Sequence, residues 1–367
     1  MPTGLYIHLP FCRQKCNYCD FASFAGREKQ IPAYLAALAR EAAQTPVKTF
    51  DTLYVGGGTP SLLTEQELER LCQVLTDNFG AIGRFSESTA EANPESLTPG
   101  KIALLRGAGF NRLSIGLQSF CDQELKTLGR VHDVKTFLNA YRAARAGGFE
   151  NINVDLIAGV PGQGLESFLE GLSKLIALRP EHISVYGLQI EEGTPFFARG
   201  VVCDQLLMRR MLEETHLRLQ AAGYHHYEIS NFALPGREAK HNTHYWDNGP
   251  YIGLGSAAAS YWGGERRQNT PDVQEYIRRM TAGESPVVFR EKLTGKVKEG
   301  ETLMLAFRKL DGVELTPRQE KMFGKEIQKH LQSGLLERAG KKVKLSFEGL
   351  FLANEVFCSF VAPFEEL

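Results

Sequence analysis

Three cysteines, Cys12, Cys16 and Cys19, fall within eight residues near the start of the chain, spaced C-x3-C-x2-C. The run before them, Leu5-Tyr6-Ile7-His8, alternates apolar and amphipathic residues and reads as a short strand ended by Pro10. The cysteines therefore occupy a loop directly after a strand, and three thiolates in one loop are a metal-binding device. Two metals are open at this point. Structural zinc would use the three thiols and His8, but such sites take their ligands as two separated knuckles, and the sequence holds no second pair. A 4Fe-4S cluster normally takes four cysteines. Three leave one iron open to a ligand that is not protein, so the deficit itself is a functional clue.

The other four cysteines, Cys72, Cys121, Cys203 and Cys358, are scattered and read as small core residues. Cys72, for instance, shares a helical face with Leu68, Leu71, Leu75 and Phe79. A formal net charge of −1 gives no field that draws the chain to nucleic acid or to an anionic membrane. No apolar run approaches the roughly 20 residues of a membrane span. Met1-Pro2-Thr3 leads into the first strand without room for a signal peptide, which predicts a cytoplasmic protein with reduced thiols.

Strand and helix patterns then alternate. Apolar Ile31, Tyr34, Leu35 and Leu38 mark a helix over 31–44. Thr52–Val55 is a strand stopped by Gly56-Gly57-Gly58-Thr59-Pro60, and Thr64 with Glu67 forms a capping box for the next helix. Further strands are expected over 88–92, 112–116, 151–156 and 182–188. Helices intervene, one opened by Thr98-Pro99 and one spanning about 133–147. Six strand–helix units in about 220 residues predict a partial (β/α)6-type TIM barrel, with a doubly wound sheet as the competing architecture. Every unusual Gly-, Pro- or Cys-rich loop follows a strand, the end that carries the active site in parallel α/β folds.

Asp204 caps a long helix, after which 225–264 is dense in His, Tyr, Trp, Asn and Gly. The last 75 or so residues read as a small, mostly helical, winged-helix-like module. In it Leu303–Leu310 is helical, Thr316-Pro317 opens a second helix, 333–345 is a turn and hairpin, and an apolar helix spans about 348–360. Lys341, Lys342 and Lys344 make the wing basic. No recognition helix rich in Arg, Asn and Gln accompanies it, so protein contact is expected rather than nucleic acid.

The C-x3-C-x2-C loop after a first strand, with Tyr18 before the third cysteine, resembles the signature of the radical S-adenosylmethionine (SAM) superfamily. The resemblance implies a 4Fe-4S cluster on Cys12, Cys16 and Cys19 whose open iron chelates SAM. It also implies an electron donor such as flavodoxin or ferredoxin. Onto the family's cofactor contacts it maps Gly57, Gly58 and Thr59 after the second strand, Glu91 on the third, Gln118 after the fourth, Arg130 in Leu128-Gly129-Arg130, and Asp155 on the fifth. Tyr6 and Tyr18 would flank the cluster. Taken singly, a glycine run is equally a tight turn, and a lone Glu, Gln or Asp at a strand end is equally structural.

YIHLPFC, CNYCDF, VGGGTPS, EANPE, SIGLQSF, LGRVH and DLIAGVPGQ narrow the resemblance to the oxygen-independent coproporphyrinogen III oxidase group, over nearly the whole chain. It implies a radical SAM core over 1–235, a connecting segment over 236–290 and the group's C-terminal domain over 291–367. The oxidases carry a further cysteine two positions after the third ligand, where this chain has Phe21, and an N-terminal extension that is absent here. Both departures point to the group's heme-chaperone branch and away from propionate decarboxylation. His241-Asn242-Thr243-His244-Tyr245-Trp246 resembles that branch's H-N-x-x-Y-W pattern. It implies heme contacts by His241, His244, Tyr245 and Trp246, near the C-terminal ends of the strands, against the alternative that these histidines only pack. The implied partners are heme and a heme-accepting protein.

Overall fold

The computed structural model describes residues 3–364; Met1-Pro2, part of the expectation of no signal peptide, lie outside them. Six parallel strands appear where the alternation places them: β1 (Gly4–Leu9), β2 (Thr52–Gly57), β3 (Glu87–Ala92), β4 (Arg112–Gln118), β5 (Ile152–Ala158) and β6 (His182–Gly187). They pair in that order, and crossover helices join most of them: α1 (Ile31–Gln44), α2 (Glu65–Phe79), α3 (Pro99–Ala108), α4 (Asp122–Leu128), α5 (Val134–Ala146) and α6 (Leu165–Leu178). The capping box is present: Thr64 Oγ1 accepts from the Glu67 amide, and Glu67 accepts from the Thr64 amide at 2.9 Å. Leu5, Ile7, Leu9, Leu53, Val55, Leu113 and Ile115 alternate along their strands into one buried core against these helices.

The sheet extends beyond those six strands. After α7 (Gln205–Ala221) come β7 (His225–Glu228) and β8 (Asn231–Ala233), which add antiparallel beside β6. The 236–290 segment begins with the short helix α8 (Lys240–Trp246) and then supplies β9 (Tyr251–Leu254), a seventh parallel strand on the other side of β1. Gly4 pairs with Tyr251 and Ile7 with Leu254. Antiparallel β10 (Ala259–Trp262), β11 (Glu265–Asn269) and β12 (Val287–Lys292) continue that edge, with α9 (Val273–Ala282) packed on α1. What reads as a connection in sequence is therefore woven into the sheet.

The C-terminal module has its own core of Leu303, Phe307, Phe323, Ile327, Val343, Val356 and Phe360. It is built from α10 (Gly295–Ala306), α11 (Pro317–Gln332) and a three-stranded sheet whose hairpin is Leu336–Ala339 with Lys342–Leu345. The expected last helix is broken into Phe347–Phe351 and Ala353–Cys358. Arg209 on α7 holds the module through both oxygens of Glu348, at 2.8 and 2.6 Å. Among the described residues no helix is long and apolar enough to cross a membrane.

Candidate functional site

The cysteine loop leaves β1 at the C-terminal end of the barrel and is tied down on two sides. On one side the Asn17 amide donates to the Leu128 carbonyl at 2.9 Å and Asn17 Nδ2 to Thr127 at 2.8 Å, which fixes the loop to the end of α4. On the other, His8 Nε2 meets the Ala22 carbonyl at 2.9 Å and so must carry a proton, which leaves Nδ1 to accept from the Tyr6 hydroxyl at 2.9 Å. Burial pushes the His8 pKa down, so the ring stays neutral. Both its nitrogens are committed, so His8 orders the loop and is not a fourth ligand. Tyr6 acts through it.

Thr59 and Arg130 bracket the thiols. Thr59 Oγ1 donates to Cys12 Sγ at 3.5 Å, and Arg130 Nη1 to Cys16 Sγ at 3.5 Å. Asn93 joins the two, its Nδ2 donating to Thr59 Oγ1 at 3.1 Å and its Oδ1 accepting from Arg130 Nη2 at 2.7 Å. Asn93 is not singled out by the sequence; its place in EANPE, two residues after Glu91, is the available signal. Cys19 lies near Ser23, and burial raises the thiol pKa of Cys12 and Cys19. Arg130 is held protonated by the hydroxyl, thiol and carboxyl groups around it, and its buried Nε has no hydrogen-bond partner among the described residues. A cation so placed compensates an anionic group carried on the thiols. Tyr18 packs beside a satellite core of Leu128, Ile157, Val160, Leu188 and Phe196, and burial raises its pKa.

The glycine turn after β2 presses against the same loop. The Gly58 amide donates to the Leu9 carbonyl and the Thr59 amide to that of Phe11, each at 2.8 Å. Gly57 is left-handed at φ +103°, with the His8 ring where a Cβ would stand. Its amide donates to Glu91 Oε2 at 3.1 Å, and Tyr54 donates to Glu91 Oε1 at 2.6 Å. Burial raises the Glu91 pKa to about 7. Asp155 accepts from Asn153 at 2.7 Å and is likewise raised by burial. Gln118 ends β4 at φ +74°, a left-handed conformation uncommon outside glycine, at a register shift between β4 and β5.

The HNTHYW segment stands elsewhere. It forms α8 at the N-terminal end of the barrel, opposite the cysteines, where Glu87 at the start of β3 caps it through the Lys240 and His241 amides at 2.9 and 3.0 Å. His241 is 1% exposed, with Nδ1 on Thr52 Oγ1 and Nε2 on the Tyr245 hydroxyl, both at 2.8 Å. His244 gives Nε2 to the Pro250 carbonyl at 2.6 Å, and the Arg308 guanidinium lies 4.4 Å over Trp246. The expected location of these residues, near the C-terminal ends of the strands, is corrected on this geometry: they sit at the strands' N-terminal end. The helix closes the far end of the barrel, and the Trp246 indole nitrogen is buried there without a hydrogen-bond partner among the described residues.

A sequence profile described as the Radical SAM superfamily matches residues 6–175. The chain is 36% identical to the heme chaperone HemW of Bacillus subtilis, over 97% of this chain and 98% of that protein. It is 34% identical to HemW of Lactococcus lactis, over 98% and 97%. The chain belongs to the HemW family of heme chaperones. The solved structure of coproporphyrinogen III oxidase (HemN) from Escherichia coli, a radical SAM enzyme, superposes with TM-score 0.85 at 25% identity, over 98% of this chain and 90% of that one. The partial barrel with its C-terminal module is thus the fold common to both branches.

A HemW chain in the radical SAM superfamily implies a 4Fe-4S cluster and SAM, and the residues present fit both. The donor set is three thiols beside one buried cation. The glycine turn offers backbone without side chains facing the loop. Gly58→Ala tests that cradle: a methyl there would lie 2.6 and 2.7 Å from the Phe11 and Leu9 carbonyl oxygens. The turn must move, so equilibrium dialysis is expected to show SAM affinity down about tenfold or more with the iron content retained. Unchanged affinity would remove the turn from the cofactor site.

Proposed function

We propose that this chain binds heme and delivers it to an acceptor protein, with a SAM-bearing cluster held at the opposite end of the barrel from α8. The observation that supports this most is the full-length relation to HemW proteins, whose name as heme chaperones is carried here to this chain. Phe21 turns the reading away from the oxidase: where the oxidases carry a further cysteine, the chain has a side chain 63% exposed beside Cys19.

When bound, the cluster supplies one open iron for SAM and an electron to cleave it, from a donor such as flavodoxin or ferredoxin. The chain's own part is to hold and shape that site. Cys12, Cys16 and Cys19 anchor the irons, Arg130 offsets their negative charge, and Gly57, Gly58 and Thr59 bring backbone close to the methionyl end. Glu91, Gln118 and Asp155 line the barrel beneath, and Tyr6 and Tyr18 fix the loop from its two flanks. None of the seven cysteines is in a disulfide, which suits a reducing cytoplasm.

Hemin titration tests the reading. The protein is expected to give a saturable Soret shift and to pass heme to an apo-acceptor, and the absence of both would overturn it. Anaerobic incubation with SAM, reductant and coproporphyrinogen III is expected to release no CO2. Stoichiometric CO2 with protoporphyrinogen would establish the oxidase instead.

A further inference from the structure

Behind the cysteine loop, three buried polar atoms have no hydrogen-bond partner among the described residues: Arg130 Nε, His132 Nδ1 and Glu95 Oε2. Glu95 lies in the EANPE turn after β3, and Arg130 and His132 in the LGRVH loop after α4. Neither Glu95 nor His132 touches a thiol, and the cofactor site described above uses neither. We propose that Glu95 and His132 hold one buried proton between them, and that His132 is thereby a positioning residue acting through Glu95 and Arg130 on the charge at the cysteine thiols; this rests on the cluster reading above.

The contacts of the ring count the protons. His132 Nε2 meets the Leu117 carbonyl at 3.1 Å, and a carbonyl only accepts, so that nitrogen carries hydrogen. A neutral ring would then point the bare Nδ1 lone pair at Glu95 Oε2, 3.5 Å away. The imidazole is fully buried and the Glu95 side chain 11% exposed, so neither acceptor could turn to water instead. A second proton on the ring removes the conflict and makes the contact an ion pair. The carboxyl is the ionised partner. Burial would raise its pKa, yet the His132 ring and the Arg130 charge hold it below the usual carboxylate range.

From the loop inward the charged groups run Cys16, Arg130, Glu95, His132. Arg130 Nη1 donates to Cys16 Sγ at 3.5 Å, while Nη2 donates to Asn93 and to the Gly116 carbonyl at 2.7 and 3.1 Å. The other charged groups beside the pair are engaged elsewhere. Asp133, next in the chain, caps α5 by accepting from the Thr136 amide at 2.7 Å. Lys101 on α3 donates to the Ser61 and Ser96 carbonyls at 2.6 and 3.0 Å. The pair is therefore neutral with the His132 proton and negative without it. A buried negative charge beside Arg130 offsets the cation that compensates the thiols. The potential of an iron–sulfur group follows the net charge around it, so reduction is favoured while the proton is held.

The test is potentiometric titration of the reconstituted full chain, without added SAM, over about pH 5 to 9, the range in which histidine charge changes. The wild-type potential is expected to become more negative as pH rises and the pair gives up its proton. Two variants are expected to flatten that dependence while keeping iron and acid-labile sulfide. His132→Gln leaves Glu95 ionised throughout, so its potential is expected to sit at the alkaline limit of the wild type. Glu95→Gln lets an amide donate to a neutral His132 Nδ1, which keeps the contact and removes the charge, so its potential is expected at the acid limit. If one variant loses its iron, the other carries the comparison. A wild-type potential independent of pH, or an unchanged slope in either iron-loaded variant, would overturn the pair and leave the cluster reading standing. No cluster in the reconstituted wild type would overturn both.

Discussion

Cys16→Ser is expected to abolish iron and acid-labile sulfide in the reconstituted protein while leaving the chain folded. A serine hydroxyl does not ionise near neutral pH and cannot replace a thiolate on iron, and with only three protein ligands the loss of one leaves two irons bare. The fold does not depend on that sulfur. Cys16 is half-buried, and among the described residues its only side-chain hydrogen bond is the one Arg130 donates at 3.5 Å. The loop keeps its shape through Asn17 on the end of α4 and His8 on Ala22. Without cluster, the variant is expected to melt within about 0.5 kcal/mol of the apo wild type, the usual range for substitutions away from a core. Cys72→Ser is the matched control: Cys72 is buried on the apolar face of α2, so that change costs stability and leaves the iron in place. Unchanged iron and sulfide in Cys16→Ser would break the ligand assignment.

The features legible in the sequence are those written in neighbouring residues. The period of Ile31, Tyr34, Leu35 and Leu38 gives α1, whose buried face holds all four. The Gly-, Pro- and Cys-rich loops mark the C-terminal end of the sheet, and the structure puts Cys12, Gly57, Asn93, Gln118 and Arg130 there. Strand β9 left no such trace. Tyr251-Ile252-Gly253-Leu254 is four residues between Pro250 and Gly255, and its partner is β1 at the far end of the chain. A pairing of that separation depends on the barrel already existing. HNTHYW was legible as a set of ring types and illegible as a place. Its position follows from Thr52 and Glu87, the first residues of two strands, which look like any sheet residues until α8 docks on them.

His241→Ala is expected to destabilise the protein by about 3 kcal/mol, because it opens a cavity and orphans two buried hydroxyls at once. The imidazole stacks on Tyr54 at 5.3 Å, and the Tyr245 ring meets its edge at 4.7 Å. Removing it leaves Thr52 and Tyr245 each without the nitrogen that satisfies it. The loss carries a pH signature. Burial holds the His241 pKa at about 3, below its unfolded value near 6.5. Its contribution is therefore present above pH 6.5 and falls as pH drops from 6.5 toward 3, where the unfolded chain takes up a proton that the folded chain refuses. The alanine variant is expected to lose that part of the acid sensitivity, read as a shallower fall in melting temperature over the same interval. Per folded molecule, its hemin spectrum is expected to match the wild type. A variant that melts like the wild type but has lost the Soret shift would mean that α8 leaves its seat to offer this imidazole to iron. The far end of the barrel would then carry the heme.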